Sequence, residues 1–145
     1  MNTIKFAPYN EFITEQHNIE TAQVKEHVIS GNSYKFYSPC NFNIFVTNAC
    51  PNSCYFCINK NASEICSDED YFNGLKKALD TLKDVDIEFT ITGGEPTLNP
   101  ARFVKTLQLL KEYGIKERTI STTGLNLLTL YEGKPLIHPF PAAIS

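Results

Sequence analysis

The apolar positions change period along the chain, and each change marks an element. "NFNIFVT" (41–47) is dense in β-branched and aromatic residues, which predicts a buried strand. "DIEFTIT" (86–92) alternates, with Ile87, Phe89 and Ile91 on one face and Glu88, Thr90 and Thr92 on the other. "RTIST" (118–122) predicts a third short strand. Between these the period lengthens. Phe72, Leu75, Ala78, Leu79 and Leu82 recur at helical spacing, and Ser67 with Asp70 three residues on forms a variant capping box ahead of them. Phe103, Val104, Leu107 and Leu110 form a second helical stripe. Asn99 followed by Pro100 opens that helix, and Gly114 closes it. "GLNLL" (124–128) begins a further helix or turn.

Strand, loop, helix, strand, loop, helix, strand is the order of βαβ units, hence a parallel sheet with right-handed crossovers. In such sheets ligands gather at the carboxyl ends of the strands. The three least ordinary loops fall there: the cysteine loop after 47, "GGEP" (93–96) and "STTG" (121–124). Parity adds a second expectation. If Ile87, Phe89 and Ile91 pack on helices, then Asn43, Phe45 and Thr47, Thr90 and Thr92, and Thr119, Ser121 and Thr123 share the opposite face. Parallel strands that are purely structural are usually apolar on both faces. A polar face suits a cavity for a polar ligand.

On either side of this core the pattern weakens. Residues 1–41 read as a leader in which "IETAQVKEHVIS" (19–30) forms a short helix, with Ile19, Val24, Val28 and Ile29 roughly on one side. Residues 129–145 hold three prolines and no usable period, and read as an irregular tail.

Composition narrows the class without changing this layout. The 145 residues suit one domain able to bury roughly 70% of its unfolded surface. A net charge of -3 gives no basic footprint for nucleic acid. No apolar run approaches the ~20 residues of a membrane span, and "MNTIKFAPYNEF" lacks the features of a signal peptide. A cytoplasmic location is therefore expected. Clustered cysteines there are more often metal ligands or catalytic groups than disulfides, and five is an odd count for a disulfide framework.

The chemistry concentrates in "TNACPNSCYFCINK" (47–60), where Cys50, Cys54 and Cys57 make the pattern C-x-x-x-C-x-x-C. Three thiolates on a cubane iron–sulfur cluster hold three irons and leave the fourth open to a small molecule. A zinc site more often shows paired C-x-x-C motifs or downstream histidines. His17, His27 and His138 have no partner at ligand spacing. Cys40 and Cys66, outside the motif, read as small buried hydrophobes.

C-x-x-x-C-x-aromatic-C after a first strand, with "TGGEP" ending the second, resembles the radical S-adenosylmethionine (radical SAM) superfamily across Phe42 to Leu128. The resemblance implies that Cys50, Cys54 and Cys57 ligate a 4Fe–4S cluster whose open iron chelates S-adenosylmethionine. It implies that Phe56 stands where the family's backbone contacts adenine, and that Gly93, Gly94 and Glu95 hold the methionine amino group. Glycines permit close approach, and a carboxylate suits an ammonium. Gly94 and Glu95 are thereby expected to serve the cofactor and not the cluster. The family's reduced cluster cleaves the cofactor to a 5′-deoxyadenosyl radical, which takes hydrogen from substrate.

The local sequence is most similar to the branch of GTP 3′,8-cyclases and peptide-modifying enzymes. "STTGLNLL" resembles their "TTNG" stretch, and Ser121 matches their substrate-facing threonine; it is counted with the cofactor-binding residues. Thr90 occupies the place of an arginine found in the cyclases, which weakens GTP as substrate.

The expected fold is thus α/β, a partial (βα) barrel of the radical SAM type, a truncated TIM-like barrel with about three parallel strands where the family has six βα units. Its parts are the leader (1–41), a truncated core (42–128) and the tail (129–145). Expected partners are a small-molecule or peptide substrate, a reductant such as flavodoxin or ferredoxin, and a second copy or complementing chain. Nucleic acid and membrane are not expected, and no catalytic side chain is assigned. Three functions stand open: a radical SAM enzyme, a non-catalytic remnant that binds a cluster, and a zinc-binding structural module.

Overall fold

A computed structural model describes residues 23–38, 40–57, 59, 63, 66–116 and 118–136. Its centre is a three-stranded parallel sheet in the order β3 (Cys40–Phe45), β4 (Ile87–Thr92), β5 (Arg118–Ile120). Helix α1 (Asp68–Leu82) connects β3 to β4, and α2 (Pro100–Glu112) connects β4 to β5. This is the expected α/β arrangement of a partial βα barrel.

The helix ends form as their residues dictate. The Ser67 hydroxyl accepts from the Asp70 amide at 3.1 Å, and three acids occupy the first turn of α1, where the helix dipole favours them. The Asn99 side chain accepts from the Arg102 amide at 3.2 Å, with Pro100 at the first helical position of α2. Gly114, at φ 70°, ends α2 by donating to the Lys111 carbonyl. Ile115 reaches back to the Leu110 carbonyl, both at 3.0 Å, and buries its side chain beside the helix end.

Parity divides the sheet as the alternation requires. Ile44, Phe89 and Ile91 are buried against Phe72, Leu75 and Leu79 of α1 and Phe103, Leu107 and Leu110 of α2. The opposite face carries a polar ladder across all three strands, diagonal from β3 to β4 and in register from β4 to β5. The Asn41 amide donates to the Thr90 hydroxyl at 2.7 Å, and Thr90 and Thr119 share a hydrogen bond at 2.9 Å. No described element covers this face, and Asn43 and Phe45 are exposed on it.

Two expectations are corrected. The helix expected over 19–30 is, in its described part, a strand: β1 (Gln23–Ile29) pairs antiparallel with β2 (Asn32–Ser38). Val24 and Val28 do stand four apart, as on a helix. Ser30 and Gly31, both at positive φ (50° and 82°), instead make the tight two-residue turn that matches strand twist. Pairing with residues further along then overrides the local period. Residues 1–22, including the start of that expected helix, lie outside the described residues.

The tail is also ordered where it is described. β6 (Leu130–Tyr131) and β7 (Lys134–Pro135) form a second small hairpin, again with positive φ at both turn residues, Glu132 and Gly133. This hairpin delivers Leu136, 1% exposed, into the core.

Leu136→Ala should therefore destabilise the protein by about 2–5 kcal/mol in urea unfolding. Leu130→Ala, at a 68% exposed position of the same hairpin, should stay within about 0.5 kcal/mol of wild type. Equal effects at the two positions would contradict the docking of Leu136.

Candidate functional site

The pairing of β3 with β4 continues beyond both strands and sets the site. The Val46 amide donates to the Thr92 carbonyl at 3.0 Å, Gly94 to Thr47 at 2.7 Å, and Glu95 to Ala49 at 2.8 Å. The "GGEP" backbone thus lies directly on the stem of the cysteine loop. Only glycine permits this approach. A Cβ at Gly93 would stand 2.3 Å from the Thr47 carbonyl oxygen, and one at Gly94 would stand 2.3 Å from that of Ala49 and 2.5 Å from that of Asn48. Gly93 also has φ 140°, which L side chains rarely adopt. Gly94, expected to serve the cofactor, also bears on the cysteine loop. A side chain at 94 would push on the backbone immediately before Cys50, so this glycine serves both loops.

From that stem the chain enters the cysteine loop. The Cys57 amide donates to the Cys54 carbonyl at 3.2 Å, closing a turn whose tip carries Tyr55 and Phe56. Both rings project outward, 91% and 73% exposed, edge to face at 5.2 Å. The Asn48 side chain donates to the Ser63 carbonyl at 3.0 Å, tying the stem to a point further along the chain. All five cysteines are free thiols.

Cys50, Cys54, Phe56 and Cys57 line one cleft of about 450 Å³ together with Gly93, Gly94 and Ser121. The three loops expected to converge do so, and every residue expected to bind the cluster or the cofactor, except Glu95, lies on the cleft wall. Among the described residues, no three His, Cys, Asp or Glu side chains are grouped as a single metal ion would need. The three free thiols share this one cleft wall, the donor set that a cluster with one thiolate on each of three irons calls for.

The remaining thiols stand apart from this constellation. Cys40 is the first residue of β3, and the cysteine loop follows that strand's last, roughly 3.3 Å further per residue. Its sulfur lies 4.0 Å from the Asp86 carbonyl oxygen, and burial and the Asp86 charge push its pKa up. Cys66 is exposed, just before α1.

Glu95 occupies a different environment from the rest of its motif. It is fully buried, and both carboxylate oxygens are engaged by protein donors. Oε1 accepts from the Thr97 amide (3.2 Å), the Thr97 hydroxyl (2.5 Å) and the Thr122 hydroxyl (2.6 Å), and Oε2 accepts from the Thr123 amide (2.7 Å). Burial alone would raise its pKa. The hydrogen bonds from Thr122, Thr97 and Thr123 outweigh it and hold the carboxyl at about 2, against an ordinary 4.5. The carboxylate therefore fastens the second loop to the third, whose Thr122 and Thr123 line the cleft.

Sequence reasoning missed a second buried charge, Arg102. Its side chain is 7% exposed and meets Asp68, the Val46 carbonyl and the Cys66 carbonyl. The available signal was its position. A cation in the first turn of a helix opposes the helix dipole and so calls for a tertiary partner.

Because the folded pKa of Glu95 lies below its unfolded value, its stabilisation is complete above about pH 4.5 and is lost as pH falls toward 2. Glu95→Gln should destabilise the protein by about 2 kcal/mol at pH 7, since an amide nitrogen would face a donor. The gap between variant and wild type should narrow as pH falls from 4.5 toward 2. Urea unfolding across that range measures it, and a gap independent of pH would contradict an ionised Glu95.

No described helix is long and apolar enough to cross a membrane. No curated protein and no solved structure matches the chain. The family model for the radical SAM superfamily matches residues 44–133, from within β3 through the last hairpin turn, which is more than half of the 145 residues. The matched segment contains the cysteine loop, the glycine loop packed on it and the third loop clamped by Glu95, and the chain belongs to the radical SAM superfamily.

Proposed function

We propose that the chain binds a 4Fe–4S cluster through Cys50, Cys54 and Cys57 and S-adenosylmethionine in the adjoining cleft, and cleaves the cofactor reductively to take a hydrogen atom from a substrate. The observation that carries this reading is the single cleft shared by three free thiols, the Gly93–Gly94 backbone and the third loop. When bound, the cluster and cofactor supply one-electron cleavage of a carbon–sulfur bond and the 5′-deoxyadenosyl radical.

The chain's own residues hold and orient. Gly93 and Gly94, without side chains, leave their backbone accessible in the cleft for the cofactor's amino group. The outward Phe56 offers its ring and backbone to the adenine, and the Ser121 hydroxyl lines the far wall. The Glu95 carboxylate, filled by threonine donors, contributes through the loops it joins.

The substrate reading follows the third loop and the open face. The likeness of "STTGLNLL" to the cyclase and peptide-modifying branch favours a substrate of that range, and the Thr90 hydroxyl in the polar ladder, where the cyclases have arginine, favours one other than GTP. A flavodoxin or ferredoxin in the cytoplasm is the natural electron donor. Among the described residues the polar face is uncovered and β3 and β5 each have a free edge, and Leu125, Leu128 and Leu130 stand 73%, 78% and 68% exposed after β5. These features favour completion of the site by a second copy or a complementing chain.

Anaerobic reconstitution with iron and sulfide, followed by a cofactor-cleavage assay, tests the reading. About four irons and four sulfides per chain and a brown chromophore are expected. Cys50→Ala, Cys54→Ala or Cys57→Ala should each abolish the colour, and Cys40→Ala and Cys66→Ala should not. A colourless zinc protein, or bleaching by Cys40→Ala, would sink the ligand assignment. A coloured protein that never cleaves the cofactor would be a cluster-binding remnant.

Completion by another chain has its own measurement. Light scattering after anaerobic size exclusion should show a dimer or larger assembly, or else a monomer unable to turn over substrate. A monomer with ordinary turnover would show that the open face needs no cover.

A further inference from the structure

We propose that Arg102 is a positioning residue that fastens both ends of the cysteine loop and so governs how firmly the loop keeps its iron. The proposal rests on the cluster reading of that loop. Val46 directly follows the last residue of β3, and Cys66 stands just before α1. One guanidinium reaches both points. Its Nη1 donates to the Val46 carbonyl at 2.9 Å, and its Nη2 to the Cys66 carbonyl at 3.4 Å. Its Nε donates to Asp68 at 2.7 Å, and the group lies over the Tyr71 ring at 4.8 Å. Cys50, Cys54 and Cys57 all lie between the two clamped carbonyls.

The planar fork suits this task. Arginine presents several donors in fixed directions, so one side chain can set the spacing of two carbonyls and a carboxylate together. Lysine keeps the charge and loses the fork. The placement is also costly, with a buried cation at a helix start, and Asp68 and the two carbonyls offset that cost. The second anchor of the stem, the glycine loop on Thr47 and Ala49, holds its first half only. Arg102 ties the two ends of the loop to each other and to α2, and the Asn48–Ser63 bond links points further inside it.

The test compares Arg102→Lys, Asp68→Ala and Leu107→Ala, the last a core change in the same helix that lowers stability without touching the loop. Two readouts are taken well below each unfolding midpoint: hydrogen exchange of the metal-free protein, and iron loss from the reconstituted protein to a chelator. Arg102→Lys should raise exchange in residues 47–57 several-fold more than in 87–92, and should speed iron loss about tenfold, as loss of charge-assisted bonds predicts. Asp68→Ala, at a carboxylate that is 66% exposed, should speed iron loss about threefold.

Rates for Arg102→Lys no greater than for Leu107→Ala overturn the proposal. So does a wild-type rate for Asp68→Ala, which decides the matter if the Arg102 variant does not fold. Wild-type protein that takes up no iron refutes the cluster reading instead, and the exchange measurement still judges the clamp.

Discussion

The site depends on one close approach, that of the Gly93–Gly94 backbone to the stem of the cysteine loop. Parallel pairing of β3 and β4 would ordinarily stop where the side chains of the following loops collide. Here it runs on through three further hydrogen bonds because two Cβ atoms are missing at the crossing. The cysteine loop therefore leaves the sheet in a defined direction. The glycine loop becomes the floor of the same cleft. Neither loop has a fixed position without the other.

Two buried charges secure what the glycines permit. Glu95 accepts from the third loop, and Arg102 donates to both ends of the first. An unpaired buried charge would cost several kcal/mol, so each is stable only when its full set of partners is in place. That makes both of them strict about geometry. The fold thereby transfers the rigidity of the helix-packed face to three loops on the sheet's edge, where a ligand must be held. The two faces divide the labour: one supplies an apolar core, and the other stays polar and open around the Asn41–Thr90–Thr119 ladder.

Much of this was legible in the sequence for local reasons. Periods of 2 and 3.6 report which face of a strand or helix is apolar, and they located the three sheet strands and both helices, together with the polar face. The capping residues Ser67, Asn99 and Gly114 act through their own backbone neighbourhood, so they could be placed without a structure. The spacing of Cys50, Cys54 and Cys57 is a property of one short loop. The convergence of the three loops followed from the topology of parallel sheets, whose carboxyl ends all point one way.

Only the tertiary structure decided the rest, because those choices turn on contacts distant in sequence. Val24 and Val28 satisfy a helical period, yet pairing with Asn32–Ser38 makes them a strand. Leu136 lies within a stretch that has three prolines and no usable period, and is buried only because a hairpin turns it inward. Glu95 carries a motif's carboxylate, and threonines 97, 122 and 123 determine that it is filled from within the protein. Arg102 is one charge among many until the fold brings Val46, Cys66 and Asp68 around it. By itself the sequence determined the elements, the chemistry of the loop and the end of the sheet at which it acts. Which charges are buried, and what they hold, was determined by packing, since burial depends on what the rest of the chain places alongside.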